Sequence, residues 1–354
     1  MKSSLGENLI ILDKQYDEEY GNERLFKSLW TEYALDIFKA MKETESEMRK
    51  INYMSTQFDQ RSKLIGMCRL ITRTYKLSRC TLHLSVYYLD RFIDSYTIRS
   101  DKLQLVALVC VHIAAQIENR DAIVPRYSDM ISLIKRSYTS FECKAVERKI
   151  LTFLEFKLMR PTTASFVEML SCSFLTHDDY NSYCESLNDL SLGIGTHPRY
   201  MCYEQMLATL AHLVLRVSDY TLYIESFCNV APSLLAASCI GAVRQMSGIP
   251  KRWTIYLENL TSYSEHTIAP YVDIITMNHY YQNTSTTAVS YSGSDSGFEE
   301  RLLTHGKNEE QTFNLVTVDL ERPIGKAVFL KRKSNDECLH FRQFKCLKFS
   351  DNNN

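Results

Sequence analysis

Between Lys102 and Gln116 the chain reads KLQLVALVCVHIAAQ, and nearly every position from Leu103 to Ala115 is apolar or small. Wound as a helix, this stretch leaves no polar face for water at any rotation, so it must be covered on every side. Its length of about 13 residues is short of the ~20 needed to cross a bilayer, and Gln104 and His112 interrupt it. A buried core helix is therefore expected. Ala107, Ala114 and Ala115 let neighbouring helices come close, and the stretch is expected to be the central post of a helical bundle.

The surrounding sequence supplies helices to cover it. Trp30, Tyr33, Ala34, Ile37, Phe38 and Met41 repeat at helical spacing and make one amphipathic face, expected on the outside of a domain. A second helix is predicted from about Gln57 to Thr74. A third follows Ser78, a favourable N-cap residue, and carries Leu82, Val86, Leu89 and Ile93 on one stripe. Thr139 and Glu142 form a capping box that opens a helix with Val146, Ile150, Phe153 and Leu154 facing inward. About five helices thus precede Arg160-Pro161, where proline sets a boundary.

Beyond that boundary the organisation repeats. Met206 to Leu222 is amphipathic, and Asn229 to Val243 is again apolar or small on nearly all sides, with Pro232 in the first turn where proline is tolerated. This second post suggests two similar helical domains in tandem. Helices near Trp253 to Leu260 and Glu265 to Met277 follow, the latter expected to kink at Pro270. From Gln282 onward the sequence is rich in Ser, Thr and Gly with little to bury, so residues 282–354 are expected to be mostly disordered.

Composition excludes several functions. Lys and Arg total 41 against 42 Asp and Glu, which provides no global basic field for nucleic acid or membrane binding. The 11 cysteines are an odd number, scattered and without a CxxC pair, which fits reduced core thiols in a nuclear or cytoplasmic protein rather than a secreted disulfide framework. The N-terminus has neither the pattern of a signal peptide nor that of an anchor. Phosphate loops, dinucleotide-binding glycines, zinc-protease helices and serine elbows are all absent from the sequence. His112 reads as a packed core residue, and His177-Asp178-Asp179 as a solvated turn. Neither a cofactor nor a metal is expected, and a chain of this kind is expected to position something rather than to transform it.

Tyr75-Lys-Leu-Ser-Arg-Cys-Thr-Leu-His-Leu-Ser-Val-Tyr-Tyr-Leu-Asp-Arg-Phe92, followed by Lys102-Leu-Gln-Leu-Val106 and continuing through Glu147 and Phe156 to Pro161-Thr162, resembles the cyclin box. Ala231-Pro-Ser-Leu-Leu-Ala-Ala and Leu260-Thr-Ser-Tyr-Ser resemble the second fold of a cyclin, particularly a J-type cyclin. The resemblance implies an all-α fold: two tandem five-helix cyclin-box domains, each around a central buried helix, with a disordered C-terminal tail. It divides the chain into an arm over 1–28, a first domain over 29–160 that includes the preceding amphipathic helix, a second domain over 161–281, and the tail. It also implies a non-catalytic regulatory subunit that binds a cyclin-dependent kinase and moves that kinase's regulatory helix inward, because kinase activity needs a lysine–glutamate pair involving that helix. The rival is a cyclin-fold adaptor that binds proteins without activating a kinase.

Carried onto this chain, the resemblance makes Arg61 and Asp90 a structural ion pair between helices. It assigns Glu147, Gln116, Ile113, Ile117, Leu151 and Phe156 to the kinase-binding face. Gln116 stands where the family usually has lysine, so charge assistance is lost there. A second family surface, a groove that recruits substrates, falls on Leu64, Met67, Leu103 and Gln104. Within it, Lys63 would repel basic motifs. In the tail, Ser296 lies in a segment that resembles a phosphodegron, and Lys331-Arg332-Lys333 is a candidate import signal.

Overall fold

The structure, a computed structural model, describes residues 33–47, 49–52, 55–118, 124–189 and 198–288. All regular structure among the described residues is helical: α1 (Ala34–Ser46), α2 (Arg61–Thr74), α3 (Arg79–Ser95), α4 (Leu103–Glu118), α5 (Tyr127–Leu133), α6 (Ser140–Phe153), α7 (Thr163–Leu170), α8 (His177–Asp189), α9 (Tyr203–Thr221), α10 (Pro232–Met246), α11 (Ile255–Thr261) and α12 (Glu265–Ala288). The arm, the tail with Ser296, and Lys331-Arg332-Lys333 lie outside the described residues.

The first post is α4. Leu105, Ala107, Leu108, Val109, Cys110 and Val111 are fully buried in it, and it contacts α2, α3, α5 and α6. Lys102, at its start, pairs with Glu142 at 2.6 Å. Glu142 also completes the Thr139 capping box that opens α6, so one carboxylate fixes both helix starts. The second post is α10, which contacts α7, α9 and α12. Gly241 explains the close approach of α12: a Cβ there would lie 3.1 Å from both Ile268 Cδ1 and Val272 Cγ2. The expectation of two helical bundles, each around a buried helix, is met.

Three short or polar helices differ from the sequence reading. The first, α5, escaped notice because it has only two turns, although Tyr127, Met130 and Ile131 share a face. In α7, Thr162 makes a capping box with Ser165, and Phe166, Val167 and Leu170 are buried. The third, α8, begins at His177, so His177-Asp178-Asp179 is a helix start and not a solvated turn. Asp179 is buried. It caps the helix with Thr176 and accepts from Arg244 on α10 at 2.9 and 2.6 Å. The last helix, α12, continues past the expected boundary at residue 282 to Ala288.

The amphipathic face of α1 buries against the second bundle. Ala34 and Phe38 join its core, with the Phe38 ring edge-on to Phe166 at 5.6 Å. Lys42 donates to Thr261 O at 3.3 Å, and Glu45 accepts from the Ser233 amide at 2.9 Å in the first turn of α10. An acidic side chain there also favours the helix dipole. Further polar contacts join the bundles. Ile51 exchanges two 2.8 Å hydrogen bonds with the Asn229 side chain, Arg61 donates to Leu222 O, and Arg79 pairs with Asp219. His83 Nε2 lies 3.3 Å from the same carboxylate. Burial works against ionisation of Asp219, yet Arg79 and His83 hold its pKa down at about 2.

Candidate functional site

Arg61 and Asp90 meet as a forked pair. Nε and Nη2 of the guanidinium donate to the two carboxylate oxygens at 2.8 Å each, with both side chains nearly inaccessible. The pair ties α2 to α3, and the third donor, to Leu222 O, extends it to the end of α9 in the second bundle. Burial of this kind makes it structural. Removing either partner would leave a buried charge at a cost of about 3–5 kcal/mol.

The residues assigned to the kinase face gather at the C-terminal end of α4 and along α6, at different depths. Ile113 is 1% exposed and packs in the first core, so it offers no surface here and supports the face from beneath. Ile117 and Leu151 are partly buried against the same core. Gln116 is exposed, and its Nε2 lies 3.1 Å from His112 Nε2. The other imidazole nitrogen, Nδ1, is 3.2 Å from Pro125 O. A carbonyl only accepts, so neutral His112 carries its proton on Nδ1 and accepts from the Gln116 amide at Nε2. That fixes the glutamine with its carbonyl oxygen directed away from the ring.

His112 therefore belongs to the site, which its place in an apolar run concealed. The available signal was its position one helical turn before Gln116. Its ring lies 4.1 Å from that of Tyr127. Burial lowers the His112 pKa, and the Glu147 carboxylate opposes that shift. Burial, reinforced by Glu147, also raises the Tyr127 hydroxyl. Gln116, His112, Tyr127 and Glu147 thus form one polar cluster spanning α4, α5 and α6.

At the end of α6 the backbone turns abruptly. Glu155 and Phe156 both have positive φ, 53° and 56°, a region that costs non-glycine residues of order 1–3 kcal/mol each. The turn is held by Phe156 N donating to Leu151 O at 3.0 Å and Lys157 N donating to Leu154 O at 2.9 Å. Its effect is to present the Phe156 ring to solvent, 69% exposed, with Met159 also exposed nearby in sequence. The aromatic ring is thus held outward on strained backbone.

The candidate substrate groove is more closed. Leu64 and Leu103 are buried, and Met67 is partly buried against the first core. Gln104 Oε1 accepts from Arg136 Nε at 2.7 Å. The leucines can form only a floor. Among the described residues no group of three or more His, Cys, Asp or Glu is placed to hold a metal, and no helix is long and apolar enough to cross a membrane.

Comparison with known proteins decides the family. Residues 36–159 match the N-terminal cyclin domain, and residues 161–304 match the C-terminal cyclin domain. The chain belongs to the cyclin family. It is 26% identical to Cyclin-J of Xenopus laevis over 72% of this chain and 64% of that protein. It is also 26% identical to a Cyclin-J-like protein of Mus musculus, over 73% of this chain and 64% of that one. G2/mitotic-specific cyclin-A of Drosophila melanogaster is 29% identical over 66% of this chain and 42% of its own length. The matched region is thus less than two thirds of each of these relatives. A viral cyclin from herpesvirus saimiri, known by X-ray structure, shares the fold with a TM-score of 0.52 at 19% identity, covering 68% of this chain and 96% of the viral one.

Proposed function

We propose that this cyclin is a non-catalytic regulatory subunit that binds and activates a cyclin-dependent serine/threonine kinase and so controls cell-cycle progression, acting in the nucleus or cytoplasm. The observation that supports this reading most is Phe156, displayed on a strained turn beside Leu151, just past the end of the helix that carries Glu147. The ring and Leu151 provide an apolar anchor for the kinase's regulatory helix. Glu147 and Gln116 provide acceptors and donors for its flanking backbone. Docking acts by favouring the active conformation of the kinase, since only contacts that differ between its two states shift the balance. Catalytic residues, nucleotide and metal belong to the partner.

A second reading rests on Gln116. One of its amide hydrogens is committed to His112 and it carries no charge, which suits an adaptor that holds a protein partner without switching it on. Co-expression with each cyclin-dependent kinase, followed by purification and a histone-type kinase assay, separates the two. Activation supports the first reading, whereas a stable but silent complex supports the second. Failure to form any complex would sink both. In the complex that forms, Phe156→Ala and Glu147→Ala are each expected to weaken binding by roughly 10-fold or more, the scale of a central anchor residue.

A further inference from the structure

Close to the Phe156 turn, three arginines converge without enough acid to satisfy them. Arg91, on α3, is half-buried, and its guanidinium lies 5.5 Å from the centre of the Phe153 ring at the end of α6. Its Nε is shielded from solvent and has no hydrogen-bond partner, and the same holds for Nε of Arg160. Arg160, only 12% exposed, has one carboxylate near it, Glu47 at 3.7 Å, which is itself 72% exposed. Arg49 and Lys157 share Glu155, at 3.6 and 3.4 Å. Four cations thus face two rim carboxylates. Asp94, a helical turn beyond Arg91, accepts from the Asn52 amide through Oδ2 and keeps Oδ1 buried without a hydrogen-bond partner, and no ion pair joins it to Arg91. Burial and the charges of Arg49 and Arg160 bear on the Arg91 guanidinium unfavourably, while Tyr87 and Asp94 act the other way.

We propose that Arg91, flanked by Arg49 and Arg160, is a receiving site for a carboxylate side chain of the bound kinase. The inference rests on the kinase-binding reading and deepens it by naming what the partner must bring. The buried Nε lies out of a partner's reach, but a guanidinium lying against an aromatic ring keeps its two Nη groups available, and their parallel N–H donors match the two oxygens of a carboxylate. The site is continuous with the docking face, because Phe153 ends the helix that carries Glu147 and Leu151. The exposed Phe156 and Met159 beside it suit a protein surface better than a free ion.

The test measures the dissociation constant by calorimetry for the kinase that binds the wild-type chain, with Arg91→Met, Arg91→Lys and Arg160→Gln, at low and moderate salt. Arg91→Met is expected to weaken binding about 10- to 100-fold, the range for truncating one partner of a close interfacial charge pair, and to reduce the salt dependence. Arg91→Lys keeps the charge but not the fork and should recover only part of the affinity. The free Arg91→Met chain should melt within a few degrees of wild type, because it loses only the contact with the Phe153 ring and no hydrogen bond or ion pair. On the kinase, neutralising one acidic residue of the docking face should abolish the effect of Arg91→Met. Arg91→Met and Arg160→Gln chains that both bind within about twofold of wild type overturn the inference and leave kinase binding intact. A lower melting temperature restored by Arg91→Lys makes the residue structural and also overturns it. Loss of the Arg91 effect on phosphatase treatment of the kinase assigns the site to a phosphate instead. A wild-type chain that binds no kinase overturns both readings.

Discussion

Replacing Asp179 by asparagine asks whether the second bundle depends on a charge inside it. Arg244 is fully buried. Besides Asp179 it donates to Phe174 O at 3.0 Å, Lys251 O at 2.8 Å and Arg252 O at 3.1 Å. Asparagine keeps the size and one acceptor, so the carbonyl contacts survive while the compensating charge and one of the two forked hydrogen bonds go. Stranding a buried cation costs about 3–5 kcal/mol, and the retained carbonyls place the expected loss near ~3 kcal/mol. In melting temperature that is a fall of about 6–12 °C for a protein of this size. Trp253 is a local reporter: its indole donates to Tyr263 O at 2.9 Å and it packs in the second core. With Trp30 changed to Phe in parent and variant alike, urea unfolding followed by fluorescence reads that bundle alone. The midpoint should drop with the slope unchanged. A loss below ~0.5 kcal/mol would refute the reasoning. Asp179→Leu combined with Arg244→Met should not recover the stability, since the apolar pair strands the Thr176 amide and the carbonyls of Phe174, Lys251 and Arg252, and an unpaired buried polar group costs about 1–3 kcal/mol.

Two further predictions concern pH. Asp219 is held at about 2, below its ordinary 3.8, so its ionised form contributes stability above the unfolded value that is lost as pH falls from ~4 towards ~2. Roughly 2 kcal/mol of acid sensitivity should disappear from the acid limb of a stability profile in Asp219→Asn. The His112 pKa is lowered from 6.5, so the fold favours the neutral ring and stability should decline as pH drops below about 6.5. Protonation also places a hydrogen on Nε2 and forces the Gln116 amide to turn over. Denaturation midpoints compared between wild type and His112→Asn at pH 7.5 and 5.5 test this, and an equal fall in both would remove His112 as the cause.

The two posts were legible because an apolar run without a polar side admits one environment, and the caps at Ser78 and Thr139 lie within four residues of what they satisfy. The pairing of Arg61 with Asp90 came from family resemblance, since nothing local links positions 29 apart. Asp179 and Arg244 are 65 apart and left no trace at all. A charged residue written beside other polar residues looks solvated until a distant cation is folded onto it. For α1 the stripe of Ala34 and Phe38 told that something must be covered, but the grouping of this helix with the first domain was wrong for its apolar face, which packs in the second core. Ile113 and Phe156 show the same limit at the docking face, because apolar identity alone does not distinguish a 1% exposed side chain from one that is 69% exposed.

The reach of α1 to the start of α10 has a temporal side. Glu45 and Ser233 are separated by 188 residues. At a synthesis rate of about 5–20 residues per second, the helix emerges some 10–40 s before the amide it caps. Throughout that interval the first bundle can close around its own post, whereas the faces of Ala34 and Phe38 have nothing to cover them. The second bundle, in turn, cannot finish until an element made long before returns to it. Assembly of this cyclin is accordingly a clasp between the first of the described helices and one made 188 residues later, with the waiting helix as the segment most in need of a chaperone.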